Sequence, residues 1–407
     1  MRINLRDFFG VIFSLLIISP YLVTLNPIVV IITFLCWIIF AVLSRRNINK
    51  WLLSKSNLYF CVYLALIIGA YGIEVASAHD LLLPCIAMFG MYYLSINDIK
   101  AKKRIAIPTC CYTILIVVCS IYQFAIKPGL ARVLLAADHS VIEANGSWVT
   151  ADFFFIYALL IFNIVVWLLC FEKKSIFLFT WGILSTIMFV ESEYSIATFI
   201  NFIMMMFGGI FLHSIKNRIF DWYGICRTFL FVILISIAIF FIGDTIIQVL
   251  LNVVDNENFG KRILYIYYFL YQSDNLLATS DLGMRLIFYD LSLNTFLNNP
   301  LLGIGKESLS SIGRHSSILD YLGKFGLIGN IPFYMGIIYV AKNIFSYLSN
   351  NDKWKYLLII VVFIFVGLIN LLYHRLTFAS LFVFVPLIMQ LEAEKDVDAK
   401  GDKYEDC

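Results

Sequence analysis

Phe8-Phe-Gly-Val-Ile-Phe-Ser-Leu-Leu-Ile-Ile-Ser-Pro-Tyr-Leu-Val-Thr-Leu-Asn-Pro-Ile-Val-Val-Ile-Ile-Thr-Phe-Leu-Cys-Trp-Ile-Ile-Phe-Ala-Val-Leu-Ser44 runs without a single charged residue. A membrane-crossing helix needs roughly 20 mainly apolar residues, and this stretch is nearly two of them end to end. Leu25-Asn26-Pro27 breaks it. Asn-Pro is turn chemistry, so the reading is two spans, Phe8–Leu25 and Pro27–Ser44, folded back on each other. Arg2 and Arg6 precede the first, but no small-residue cleavage site ends it, so it reads as a span and not as a removed leader.

The same pattern continues outward. Further candidate spans are Asn57–Val75, Leu81–Ser95, Ile105–Ile126, Ala151–Phe171, Ser175–Val190, Ser195–His213, Cys226–Gly243, Leu322–Val340, Lys355–Leu372 and Thr377–Leu391. The composition agrees: 61% of the 407 residues are hydrophobic and 14% are charged, against about 25% charged in a soluble domain. The expected fold is all-α, a polytopic bundle of about 12 spans. Residues 1–243 hold spans one to nine, 244–321 a large, partly helical outside loop, 322–391 the last three spans, and 392–407 a charged tail.

Basic residues near span ends set the orientation. With the N-terminus inside, the inside segments hold 21 of the 30 Lys and Arg residues, and the other nine fall outside. Both termini are therefore expected in the cytoplasm. The net charge of +3 is small and scattered, which argues against a nucleic-acid partner. The nine cysteines lie in or near spans or in the tail, with no Cys-x-x-Cys metal pattern, so neither an outside disulfide framework nor a metal site is expected.

Two outside loops stand out, Lys127–Thr150 and Asp244–Tyr321, because loops of such length are uncommon without a function. Within the second, Thr279–Pro300 reads as a helix. Ser280 or Asp281 is placed to cap it, Met284, Ile287, Phe288 and Leu291 recur at helical spacing, and Asn298-Asn299-Pro300 stops it. Arg285 lies near its start and, taken alone, reads as a solvated arginine of an interfacial helix. Leu301-Leu-Gly-Ile-Gly-Lys306 lacks the first glycine and the final Ser/Thr of a P-loop and reads as a flexible glycine turn. Beyond it, Ser316 or His315 would cap a helix entering span ten. A histidine at a helix N-terminus is favoured in its neutral form and can accept a proton. A capping or packing histidine is the alternative.

Gly283, Arg285, Tyr289, Phe296, Pro300, Gly303, Gly305, His315, Leu319, Gly326 and Gly329, in this order, resemble the shared block of the O-antigen ligase/polymerase superfamily, which comprises Wzy-type polymerases and the ligases of lipopolysaccharide assembly. The resemblance covers roughly fifty residues and agrees with the span and loop pattern. It implies a metal-independent, cofactor-free glycosyltransferase of the bacterial inner membrane, with an undecaprenyl-diphosphate-linked glycan as donor and another as acceptor. By it, His315 is the base and Arg285 holds the diphosphate. Guanidinium suits that role because its planar fork matches phosphate oxygens. The periplasmic face, the lipid bilayer and a chain-length regulator are the implied setting and partners.

One feature departs from the ligases. They carry a further arginine at the outer end of an earlier span, whereas Val190-Glu-Ser-Glu-Tyr-Ser-Ile-Ala197 has none. Arg314, Arg132, Lys324 and Arg375 are the outside candidates for a second phosphate contact, with Tyr289 a candidate glycan contact; solvation or headgroup contact is the plainer reading of each cation. Asp320, five residues after His315, is a candidate orienter or a solvated helix aspartate. His374-Arg375 reads as an interfacial anchor, and Glu191 and Glu193 as sugar contacts or turn residues. Asp396-Val-Asp398 lies on the wrong side to be a catalytic Asp-x-Asp. The polymerase is the preferred reading, the ligase the near alternative, and a lipid-linked oligosaccharide flippase the distant one. Transporters place ionisable groups at the midplane, and here they sit at span ends.

Overall fold

The computed structural model describes residues 5–20, 27–43, 51, 53–71, 90, 98–136, 149–216, 281–305 and 312–393. Every regular element among them is a helix. The expected spans Leu81–Ser95 and Cys226–Gly243 lie outside the described residues, except for Gly90. So do residues 244–280 and 306–311 of the long loop, and the tail after residue 393.

In chain order the helices are α1 (Leu5–Ile18), α2 (Pro27–Leu43), α3 (Lys55–Tyr71), α4 (Ile99–Ile126), α5 (Leu130–Ala136), α6 (Phe153–Lys173), α7 (Ile176–Glu191), α8 (Ser195–Lys216), α9 (Asp281–Asn298), α10 (Ser317–Tyr347), α11 (Asn350–Ile369) and α12 (Arg375–Ala379). A π-helical turn, Ser380–Phe384, carries α12 onward to Ala393. Among the described residues, four helices are long and apolar enough to cross a membrane: Lys100–Ile126, Phe153–Lys173, Ser317–Tyr347 and Arg375–Ala393. Residues such as Ile107, Leu115 and Val118 of α4 are apolar and yet exposed, as a lipid-facing surface requires.

Short-range chemistry sets the helix ends. Pro27 opens α2, where its missing N–H costs nothing. Asp98, Asp152 and Ser175 cap α4, α6 and α7 by accepting from Ala101, Phe155 and Leu178 N–H groups. Lys174 closes α6 in the left-handed region at φ 50°. Asn298 ends α9, as the Asn-Asn-Pro stop requires.

The chain forms two compact units. The first comprises Met1–Leu212, Ile328–Gly367 and Leu371–Cys407. Its central helix, α6, is buried along almost its whole length. Polar side chains tie α6 to its neighbours: Asn163 and Trp167 donate to Asn201 of α8 (2.5 and 3.0 Å), and Asn201 donates to Thr186 of α7 (2.7 Å). Such hydrogen bonds hold apolar helices together where water does not compete. Ser120, late in α4, accepts from Ala151 just ahead of α6, so α4 and α6 run in opposite directions. One end of this unit is basic and ion-paired, with Arg6 and Arg104 on Asp7 (2.6 and 2.5 Å) and Lys355 on Asp352 (2.9 Å) and Glu172.

The second unit comprises His213–Leu327 and Leu368–Asn370. Its described part is α9, the glycine turn after it, the loop 312–316 and the first turns of α10. Helix α10 breaks at Gly326 (φ 58°, ψ −166°), the last turn of the chain before the unit boundary.

Candidate functional site

The glycine turn is not loose. Gly303 and Gly305 both adopt positive φ, +67° and +57°. Their neighbours dock on the break in α10: Ile304 N–H donates to the Gly323 carbonyl (3.1 Å), Gly305 to that of Lys324 (3.1 Å), and Leu327 N–H reaches back to the Pro300 carbonyl (2.8 Å). A Cβ at Gly303 would lie 2.5 Å from the Lys324 carbonyl, and one at Gly326 would lie 2.4 Å from the Leu301 oxygen. The expected flexible turn is therefore a fastened one, because its glycines let two backbones come within hydrogen-bonding range.

Helix α9 packs through its small residues. Met284, Ile287, Leu293 and Leu297 are exposed, while Gly283, Ser292 and Thr295 are buried. The packing face is the small-residue face. Gly313 passes so close that a Cβ there would sit 2.1 Å from the Phe288 carbonyl oxygen. The exposed apolar face is what a helix resting against lipid would present.

On this frame the loop around His315 is fixed from beneath. Asp320, 7% exposed, accepts from Ser292 Oγ (2.6 Å) and from Ser316 N–H (3.1 Å), and the N–H groups of Arg314 and His315 also bond to it. Ser292 Oγ in turn accepts from Gly313 N–H at 2.9 Å. Arg314, at φ 57°, gives the backbone the left-handed step that turns successive N–H groups to one side, the geometry of an anion nest. Here a carboxylate of the chain itself fills the nest. Asp320 thus holds the backbone that carries His315.

Ser316 is the cap of α10, accepting from Leu319 N–H at 3.2 Å. The His315 ring is thereby released from capping. It is half-buried and stacks on Phe288, with centroids 4.7 Å apart and planes at 30°.

Arg285 is half-buried on α9. It donates to Asn370 Oδ1 (3.5 Å) and to the Tyr289 hydroxyl one turn on, which itself donates to the Ile369 carbonyl (2.7 Å). The Asn370 carbonyl accepts from Ser317 N–H at 3.1 Å, joining this group to the start of α10. Among the described residues no carboxylate ion-pairs with Arg285. Burial raises the Tyr289 phenol above its ordinary range, with Asp320 adding to this and Arg285 opposing it, so it remains a neutral donor.

Of the expected residues, this unit therefore gathers Arg285, Tyr289, Arg314, His315, Asp320 and Lys324. Lys324 lies over the Phe325 ring at 5.2 Å, and Arg314, which is exposed, is near enough to repel it. Arg132 and Arg375 belong to the first unit. Arg132 falls in α5, and its side chain lies outside what is described. Sequence reading missed Ser292 and Asn370. No local pattern marks either one, since each matters through a partner tens of residues away.

Arg375 is not an interfacial anchor. It is 6% exposed, donates to the Pro20 carbonyl (3.3 Å), and lies 3.4 Å from His374 Nε2. His374 caps α12, accepting from Leu376 N–H at 3.4 Å, and stacks on Phe154 at 4.0 Å. Burial, reinforced by Arg375, drives its basicity well below the usual histidine value. Asp152, capping α6 just ahead of that helix, is pushed up to about 6 by burial, against the opposing pull of its hydrogen bonds and of Arg375. Glu193 takes the left-handed position (φ 60°) in the turn between α7 and α8, which fits a turn residue. Among the described residues no three His, Cys, Asp or Glu side chains are grouped to hold a metal ion. Comparison with protein families and with curated proteins finds nothing that matches this chain.

Proposed function

We propose that the chain is a membrane glycosyltransferase that polymerises undecaprenyl-diphosphate-linked repeat units into O-antigen or a related surface polysaccharide. In this reading it has about 12 spans and works at the periplasmic face of a bacterial inner membrane, with both termini cytoplasmic. The observation that carries the proposal is Arg285. It is a half-buried guanidinium oriented by an amide and a phenol, with no carboxylate among the described residues to neutralise it. Desolvated cations are normally paired, so an unneutralised one suits a ligand that brings the negative charge.

The chemistry follows from the two side chains. The acceptor hydroxyl attacks the anomeric carbon of the donor glycan, forming the new glycosidic C–O bond as the bond to the diphosphate oxygen breaks. The hydroxyl proton goes to the His315 imidazole. The leaving undecaprenyl diphosphate keeps the electron pair, and Arg285 stabilises its charge. The Asp320 nest and the Phe288 stack hold His315 still, which is what a positioned base requires. The resemblance of the block to the ligase/polymerase superfamily supports the same assignment. The absence of arginine from Val190–Ala197 favours the polymerase over the ligase.

The glycan phenotype of a deletion strain tests the reading. Loss of long glycans with a single repeat retained on the lipid core is the expected result. Loss of all glycan from the core would assign the ligase instead, and an unchanged glycan profile would overturn both.

A further inference from the structure

The end of α11 does more than close a helix. Helix ends leave their last carbonyls and first N–H groups without partners of their own. Here the Ile369 carbonyl takes the Tyr289 hydroxyl at 2.7 Å. The Asn370 carbonyl, one residue on, takes the N–H of Ser317 at 3.1 Å, and Ser317 opens α10. The Asn370 side chain is buried, 4% exposed, and its Oδ1 accepts from Arg285 Nη1 at 3.5 Å. Leu368–Asn370 belong to the same compact unit as α9 and the His315 loop. One buried residue is thus bonded through its side chain to Arg285, and through its main chain to a point two residues beyond His315.

The charge of these acceptors matters as much as their placement. An amide oxygen and a phenol oxygen orient a guanidinium but bring no formal charge. The carbonyl end of α11 adds a partial negative charge, again short of a full unit. A carboxylate has nearly the shape of the amide and bonds guanidinium more strongly. The same unit uses a carboxylate where it fills a nest from within, since Asp320 accepts from the N–H groups of residues 314–316. Beside Arg285 it places an amide instead.

We propose that Asn370 is a positioning residue for the donor diphosphate: it ties Arg285 to the start of α10 while leaving the guanidinium charge for the ligand, so position 370 must be neutral for the site to take an anion. The inference rests on the assignment of Arg285 to the diphosphate.

Binding of undecaprenyl diphosphate to the full-length protein in detergent tests it, with the melting of each variant measured alongside. The wild type should bind, and Arg285→Ala should lose that binding. Asn370→Asp gains an ion pair with Arg285, so it should melt no lower than the wild type and yet bind about tenfold or more weakly. Asn370→Ser is neutral but too short to hold the guanidinium, and should bind about three- to tenfold more weakly. A residue that only packs would lose affinity and stability together. Wild-type affinity in folded Asn370→Asp overturns the inference, as does a loss of affinity in it that follows a fall in melting. Equal binding by the wild type and Arg285→Ala overturns the assignment of Arg285, and the inference with it.

Discussion

Two arginines near helix starts, one in each compact unit, have opposite surroundings. Arg375 is almost fully buried, bonded to the Pro20 backbone carbonyl, and within electrostatic reach of Asp152. Arg285 is half-buried and meets only Asn370 and Tyr289 among the described residues. The first is a strut: its acceptors belong to the chain and its charge already serves a neighbouring carboxylate. The second is oriented but not neutralised. Position on a helix does not separate these roles; the charge of the partners does.

The sharpest way to break the contrast is to remove each guanidinium. Arg375→Ala should destabilise the protein by about 2–4 kcal/mol, through loss of a charge-assisted bond to a buried carbonyl and of the countercharge near Asp152. Arg285→Ala should leave melting in detergent nearly unchanged while abolishing glycan elongation. Arg285→Lys keeps the charge but loses the planar fork and should still lose about 10- to 100-fold in activity. A melting loss at Arg285 as large as that at Arg375 would mean that both are struts.

A smaller effect is expected at the fastened turn. Gly326→Ala places a Cβ against the Leu301 oxygen at a positive φ, which should cost about 1–3 kcal/mol in thermal stability. The same change in a truly flexible turn would cost almost nothing.

The smallest effect separates the units by pH. The His374 pKa is depressed in the folded chain, so its contribution to stability is complete above the unfolded histidine value near 6.5. It is lost as pH falls below that value, because the unfolded chain then binds the proton more readily. Melting followed from pH 7.5 to 5.5 should decline by no more than about 1.4 kcal/mol per pH unit from this group, and His374→Gln should flatten that part of the slope. An unchanged slope in the variant would place the titrating group elsewhere.

The parts of the molecule written locally were legible in the sequence. Pro27 announced the start of α2, Asn298-Asn299-Pro300 the end of α9, and Ser316 the cap of α10. What was not legible depends on distance or on the solvent. Ser292 and Asn370 gain their roles from Asp320 and Arg285, which no periodicity links to them. That the small residues Gly283, Ser292 and Thr295 form the packed face of α9 was not legible either, because periodicity marks apolar stripes and not small-residue ones. On a helix facing lipid the stripe turns out and the small residues pack. The turn at Gly303 and Gly305 looked loose because glycine permits motion; it is fastened because glycine also permits close approach.

The most direct test of the account lies at His315, whose ring is stacked on Phe288 and whose backbone is held by Asp320 while Ser316 does the capping. Purified protein in proteoliposomes, supplied with lipid-diphosphate-linked repeat units, should elongate them. His315→Gln, which keeps hydrogen bonding but not basicity, should melt like the wild type, still bind the donor, and elongate about 10²–10⁴-fold more slowly. Elongation by His315→Gln at near the wild-type rate across pH 6 to 8 would contradict the account.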